Sequence, residues 1–132
     1  MRVFERRSVN VQRDMDFIRE LLLRVEADPQ FDGRHFVSFE VSDFPGRTDE
    51  EIAYHVELLI EGGFLKSEVE TLDAPAASIS RLTWSGHEFL ADITDPGVWA
   101  NVKERIKDLP NVAMSAIWAL AQAEVRKRLH LS

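Results

Sequence analysis

Cysteine is absent from this chain of 132 residues. Without a thiol, the chain has no disulfide framework, no cysteine nucleophile and no thiolate metal site. No apolar run approaches the roughly 20 residues that span a bilayer. The N-terminal sequence MRVFERRSVNVQR also lacks the apolar segment of a secretory signal. We therefore expect a cytoplasmic protein without a membrane partner.

The usual motifs of catalysis are missing as well. There is no phosphate-cradling glycine loop and no G-x-S-x-G elbow, and the histidines do not pair at metal-ligand spacing. The acidic pairs and runs fall where helices are expected to begin, and the helix dipole favours carboxylates there. We expect no cofactor, no metal and no catalytic residue, hence no enzyme. An enzyme whose site forms only in an oligomer is the weakest alternative.

Basic residues are scarce in the middle of the chain. Residues 14–92 carry six basic residues against eighteen acidic ones, whereas the segments on either side are net basic. The whole chain carries a net charge of −7. Because phosphate neutralisation dominates nucleic-acid affinity, this distribution disfavours DNA as a partner.

What the chain does contain is an ordered series of helix and strand patterns. Apolar spacing predicts helices over residues 13–27, 48–63, 83–93, 96–106 and 112–129. Alternation predicts a short strand over Val37–Val41 and a hairpin formed by FLKSEVE and SISRLT. The expected N-caps are Asp14, Thr48, Thr83 and Asp95.

The stretch RLTWSGHEFL, residues 81–90, decides the fold class. A strand ends at Leu82, Thr83 caps a helix at once, and Gly86 lets another backbone approach closely. A hairpin that runs straight into a packed helix is the layout of a winged helix. We predict an α+β, mostly α protein: a winged-helix-like domain with a two- or three-stranded wing over residues 13–94, then two C-terminal helices over residues 95–132. Residues 1–12 are an N-terminal extension.

Four motifs carry a family resemblance: RDMDFIRELL, DEEIAYHVELLIEGGFL, RLTWSGHEFL and DPGVWANVKE. Over about residues 11–109 they resemble the uncharacterised family DUF2513 of small bacterial and prophage hypothetical proteins. The L-T-x-x-G step at Leu82 to Gly86 is similar to the wings of MarR-like and PadR-like regulators, which implies fold more than function. The resemblance implies no catalytic residues. Because the resemblance begins at VQRDMD, we expect residues 1–10 to be either an upstream mis-annotation, with Val11 as the start, or a disordered arm.

The opposite side of the second helix is the candidate protein-interaction surface. Apolar positions among acidic ones are typical of an interface for a basic protein partner. The candidate residues are Glu51, Tyr54, His55, Leu58 and Glu61. In the alternative arrangement, the C-terminal helices cover Tyr54 and Leu58. Those helices, with their alanine-rich face, either fold back onto the domain or build a homodimer.

A DNA-binding transcriptional regulator is the alternative function. The helix before the wing normally enters the major groove. Here that helix, residues 48–62, carries five acidic residues and no Lys or Arg. The candidate DNA contacts therefore come from elsewhere: Arg47, Lys66, Arg81, Arg126, Lys127 and Arg128.

Overall fold

The computed structural model describes residues 11–67, 78–109 and 111–130. Within these residues the chain forms five α-helices and one antiparallel strand pair. The elements are α1 (Met15–Ala27), α2 (Asp49–Glu61), β1 (Leu65–Ser67), β2 (Ile79–Leu82), α3 (Trp84–Ile93), α4 (Pro96–Ile106) and α5 (Met114–Arg128). A 3-10 turn, Val41–Asp43, precedes α2. The predicted α+β, mostly helical class with a small β-wing is confirmed, whereas the winged-helix assignment stays a prediction.

The first four helices begin at the caps that the sequence predicts. Each capping side chain accepts a hydrogen bond from a backbone N–H of the first turn, a group with no partner inside the helix. The capping oxygens belong to Asp14, Thr48, Thr83 and Asp95. Thr48 and Glu51 form the reciprocal capping box. Helix α5 follows Ala113 and has no side-chain cap.

The step from strand to helix depends on Gly86. The Phe64 carbonyl oxygen accepts a hydrogen bond from the Thr83 N–H at 3.0 Å. A Cβ atom at Gly86 would lie 2.1 Å from that same oxygen. The helix therefore packs directly on the backbone at the start of the wing, as the sequence predicts for this glycine.

Strand β2 has β1 on one side and an isolated bridge on the other. It pairs with β1 in antiparallel register, with Leu65 opposite Leu82, and Ile79 also forms a single bridge to Val37. The strand predicted over Val37–Val41 is wrong beyond this bridge. The chain turns there instead, because the Asp43 N–H bonds back to the Glu40 carbonyl at 2.9 Å. The predicted hairpin tip, residues 68–77, lies outside the described residues.

The two C-terminal helices fold back onto the preceding elements. Their buried side chains belong to the same apolar core as those of α1 and α3. The Trp118 ring lies 5.6 Å from that of Phe64, and its Nε1 donates to Asp92 at 3.2 Å. The predicted division at residue 94 and the predicted homodimer stay predictions. Among the described helices, none has the length and apolar character to cross a membrane.

Candidate interaction site

Helix α2 presents three different sides. Ile52, Val56 and Leu59 face the core. Tyr54 and Leu58 lie along one edge and are half-buried. Their exposure is intermediate between the two predicted arrangements, an open interaction surface and one covered by the C-terminal helices. The solvent side is acidic, with exposed carboxylates at Asp49, Glu50, Glu57 and Glu61.

The predicted exposure of His55 is wrong. Its side chain is 0% exposed because the chain segment that caps α1 crosses over it. The Asp14 N–H donates to Nε2 at 2.8 Å, and Nδ1 lies 2.7 Å from the Glu51 carbonyl oxygen, which accepts its proton. The rings of Phe17 and Tyr54 complete the surroundings, each steeply inclined to the imidazole with its ring centre 5.1 Å from that of His55.

The imidazole of His55 is neutral in this setting. Burial away from water lowers the pKa of His55, and the nearby Arg47 charge acts in the same direction. The Glu51 carbonyl and the charges of Asp14 and Glu51 oppose that shift without reversing it. His55 therefore joins the start of α1 to the first turns of α2 and does not contact a partner.

Arg47 is held by the same cluster. Its Nη1 lies 2.9 Å from Asp14 Oδ2 and 3.9 Å from Glu51 Oε2, and its guanidinium carbon lies 4.1 Å from the Phe17 ring centre. The guanidinium is thus already occupied by carboxylates and by an aromatic face. Arg47 was a candidate DNA contact, but in the structure its guanidinium binds other side chains of the same chain.

Tyr54 stands between two adjoining depressions, which together we call the α2 cleft. The first, of about 520 Å³, is bordered by residues 11–13 and by three residues at the C-terminal end of α4: Lys103, Ile106 and Lys107. The second, of about 470 Å³, is bordered by Leu58 and Glu61 on one side and residues 111–115 on the other. The Arg13 guanidinium donates to the Val112 carbonyl where the two depressions meet.

The far wall of the α2 cleft comes from the connection between α4 and α5. Sequence patterns did not identify this wall, because a loop has no periodicity that places it against a particular helix. Leu109, 54% exposed, belongs to this connection and borders the first depression. An apolar run interrupted by Pro110 was the only local signal.

The charges around the cleft differ between its two ends. Lys103 and the Trp99 Nε1 both donate to Asp16 Oδ1, at 2.7 and 2.9 Å. These two hydrogen bonds, the one from Lys103 first, lower the pKa of Asp16. The side chains of Glu57 and Glu61, by contrast, make no hydrogen bond or ion pair within the described parts of the chain. The open negative charge therefore lies on the α2 side of the second depression.

The remaining candidate DNA contacts are spread over the molecule. Lys66 and Arg81 are opposite each other on the wing, next to the start of α3. Arg126, Lys127 and Arg128 end α5, and the Arg128 guanidinium lies beside Gly97 at the start of α4. Since α5 has 15 residues, its basic end lies roughly 22 Å from Met114, the end that borders the cleft. These five residues therefore belong to two different elements, the wing and the end of α5, while Arg47 is held beside Asp14.

Residues 12–113 match the family described as "Hypothetical protein (DUF2513)". The chain belongs to this family. A relative described as "Uncharacterized protein", from Haemophilus influenzae (strain ATCC 51907 / DSM 11121 / KW20 / Rd), is 30% identical over 121 residues, which are 90% of this chain and 99% of that protein. No solved structure matches the chain. The DUF2513 match covers α2 and most of the cleft lining, and it ends at residue 113, just before α5. The family resemblance expected from the motifs is confirmed.

Proposed function

We propose that this protein is a non-enzymatic, winged-helix-like module of the cytoplasm that binds another protein through the α2 cleft. One observation carries the proposal. Glu61 is exposed, its side chain is unpaired within the described chain, and it borders a cleft lined by half-buried Tyr54 and Leu58; Glu57, also exposed and unpaired there, lies one helical turn before it. An apolar edge with a charged rim is the composition of a protein interface.

The chemistry of this site specifies the kind of partner. Tyr54 and Leu58 offer apolar contact area, so a hydrophobic side chain of the partner gains free energy when it leaves water and packs against them. The carboxylates of Glu57 and Glu61 attract Lys or Arg and repel an acidic surface. The partner is therefore a basic protein segment that carries an apolar side chain.

The titratable groups near the cleft support contact rather than catalysis. Asp14 caps α1 and pairs with Arg47, while Asp16 accepts hydrogen bonds from Trp99 and Lys103. His55 has both ring nitrogens occupied by backbone groups. Each of these side chains has a structural role, and a general acid or base must instead face its substrate.

A DNA-binding regulator is the second candidate. Its favourable observation is that α2 directly precedes the wing, on which Lys66 and Arg81 lie opposite each other. The exposed side of α2 nevertheless carries only acidic charge, and a duplex gains affinity mainly from cations that replace its counterions. We therefore favour the protein partner.

Tyr54 provides a direct test, because it is the only tyrosine in the sequence. Protein grown with 3-fluorotyrosine carries a single fluorine nucleus, at the α2 cleft. We expect a synthetic peptide rich in arginine and leucine to shift its ¹⁹F resonance in a saturable manner. We expect mixed-sequence duplex DNA, at the same salt concentration, to leave the resonance in place.

Two charge-matched variants identify the surface that binds. Glu57→Lys with Glu61→Lys should abolish the shift caused by the peptide. Glu20→Lys with Glu88→Lys makes the same change in net charge at exposed positions of α1 and α3 and should preserve it. A shift caused by DNA and not by the peptide would establish the regulator instead, and a resonance that responds to neither would refute the proposed site.

A further inference from the structure

We infer that the basic segment that fits the α2 cleft is the C-terminal end of α5 from a second copy of this chain, so that two copies pair antiparallel along α5. This inference rests on the proposed function and names the partner of the same site. It follows from the charge, the exposure and the position of residues at the two ends of α5.

The charges at the two ends of α5 are complementary. Ser115, at the beginning of the helix, borders the α2 cleft together with Glu61. Arg126, near its end, is exposed, and its side chain makes no hydrogen bond or ion pair in the described structure; the same holds for the side chain of Glu61. Within one copy these two open charges are separated by most of the helix. They meet only when a second copy lies alongside in the opposite direction.

The exposed face of α5 allows such an approach. The helix buries Met114, Ile117, Ala121 and Glu124 and leaves mostly small side chains on its open face. That face consists of Ser115, Ala116, Ala119, Gln122 and Ala123. Helices with small side chains at their contact pack at the short end of the usual interaxial distances. Arg126 is the next residue on the same face, so it remains at the edge of the contact.

Antiparallel pairing about the midpoint between Ala119 and Gln122 fixes the register. Arg126 of one copy then lies opposite Ser115 of the other, next to Glu61. Leu129, which is 60% exposed, lies opposite Val112, a wall of the α2 cleft. The same contacts repeat at the other end of the helix pair, as two-fold symmetry requires. In this arrangement Leu129 contacts the apolar wall of the partner's cleft, and Arg126 contacts its acidic side at Glu61.

The test reverses the charge of each member of the proposed ion pair in turn. Arg126→Glu places two acidic groups together at both ends of the pair, and Glu61→Lys places two basic groups together. Sedimentation of the wild type at low salt should show a dimer whose affinity falls as salt is added. Each variant alone should dimerise at least about tenfold more weakly, since two ion pairs become two repulsions.

An equimolar mixture of the two variants should recover the dimer. In the mixed pair, the acidic side chain introduced at position 126 meets the basic side chain introduced at position 61, while native Arg126 and Glu61 meet at the other end. Arg105→Glu and Glu20→Lys, at exposed positions elsewhere, serve as controls and should sediment like the wild type.

Three outcomes overturn the inference: a wild type that stays monomeric up to about 100 µM, a dimer that neither variant weakens, or a mixture that fails to recover it. The Arg126→Glu variant distinguishes a failure of self-association from a failure of the cleft to bind a basic segment. Its cleft is intact, so the arginine- and leucine-rich peptide should still shift the Tyr54 ¹⁹F resonance. A peptide shift without self-association leaves the cleft in place and assigns it to a different protein.

Discussion

Replacement of Gly86 by alanine tests the contact on which the wing and α3 depend. A Cβ atom at this position would lie 2.1 Å from the Phe64 carbonyl oxygen and 3.3 Å from the Leu82 Cβ. The first neighbour is backbone at the start of β1 and also accepts the Thr83 N–H, so it cannot move without a shift of the wing. The helix must therefore separate from the strand by about an ångström, which disturbs the packing of buried Phe89 and Leu90.

The size of the effect follows from two opposing contributions. Overpacking of a rigid core typically costs about 1–3 kcal/mol, and more where backbone has to move. The gain in helix propensity from glycine to alanine returns at most about 1 kcal/mol. Because backbone has to move here, we take the upper end of that cost and expect a net loss of about 2 kcal/mol in the free energy of unfolding, which for a domain of this size lowers Tm by roughly 8 °C.

Gly97→Ala is the matched control. Gly97 also lies in a helix, but a Cβ there would meet chiefly the end of the Arg128 side chain, at 2.8 Å, which can rotate away. We expect this variant to unfold within about 0.5 kcal/mol of the wild type. Urea denaturation of both variants, followed by circular dichroism, provides the measurement. Equal stabilities of Gly86→Ala and Gly97→Ala would show that the close approach does not constrain the fold.

Two further predictions concern the cleft and its support. The pKa of His55 is lowered in the folded protein. As the pH falls, this imidazole therefore takes up a proton in the unfolded chain before it does so in the folded protein. The free energy of unfolding should then fall as the pH drops below about 6.5, by at most about 1.4 kcal/mol per pH unit. In the His55→Gln variant, the free energy of unfolding measured by urea denaturation should have a smaller slope against pH between about pH 7.5 and 5.5. Identical slopes in both proteins would refute a buried neutral imidazole. Leu58→Ala should cost about 1–2 kcal/mol in urea denaturation, because Leu58 is partly buried against the core. A loss above about 4 kcal/mol would place this side chain in the core, and no loss would place it in solvent.

The sequence predicted most local features of the fold, because local features depend on neighbouring residues. The caps at Asp14, Thr48, Thr83 and Asp95 each satisfy a backbone N–H a few positions along the chain, so the residue type alone identifies them. Gly86 was identified in the same way, from its place on a buried helix face. The strand expected beyond Val37 failed for the opposite reason, since alternation within so short a segment does not distinguish a strand from a 3-10 turn.

The candidate site was only partly predictable. The interaction surface was drawn around Tyr54, Leu58 and His55, yet His55 follows Ile52 by three positions and precedes Leu59 by four, which is the spacing of the buried stripe. The polarity of histidine obscured that signal. Burial becomes favourable only because the Asp14 N–H and the Glu51 carbonyl occupy both ring nitrogens, and Asp14 comes from a distant part of the chain.

The sequence by itself determined the helices, their caps, the hairpin that leads into α3, and the acidic character of α2. These depend on periodicity, turn chemistry and composition, which any chain of this sequence carries before it folds. Only the tertiary structure decided that the α4–α5 connection forms the second wall of a cleft and that Arg47 is held by Asp14 and Phe17. It also decided that Glu61 of α2 borders the cleft together with the beginning of α5, whereas Arg126 lies near the other end of that helix. Each of these depends on contacts between residues far apart in sequence, where packing and the pairing of buried polar groups select one arrangement among many that the local patterns allow.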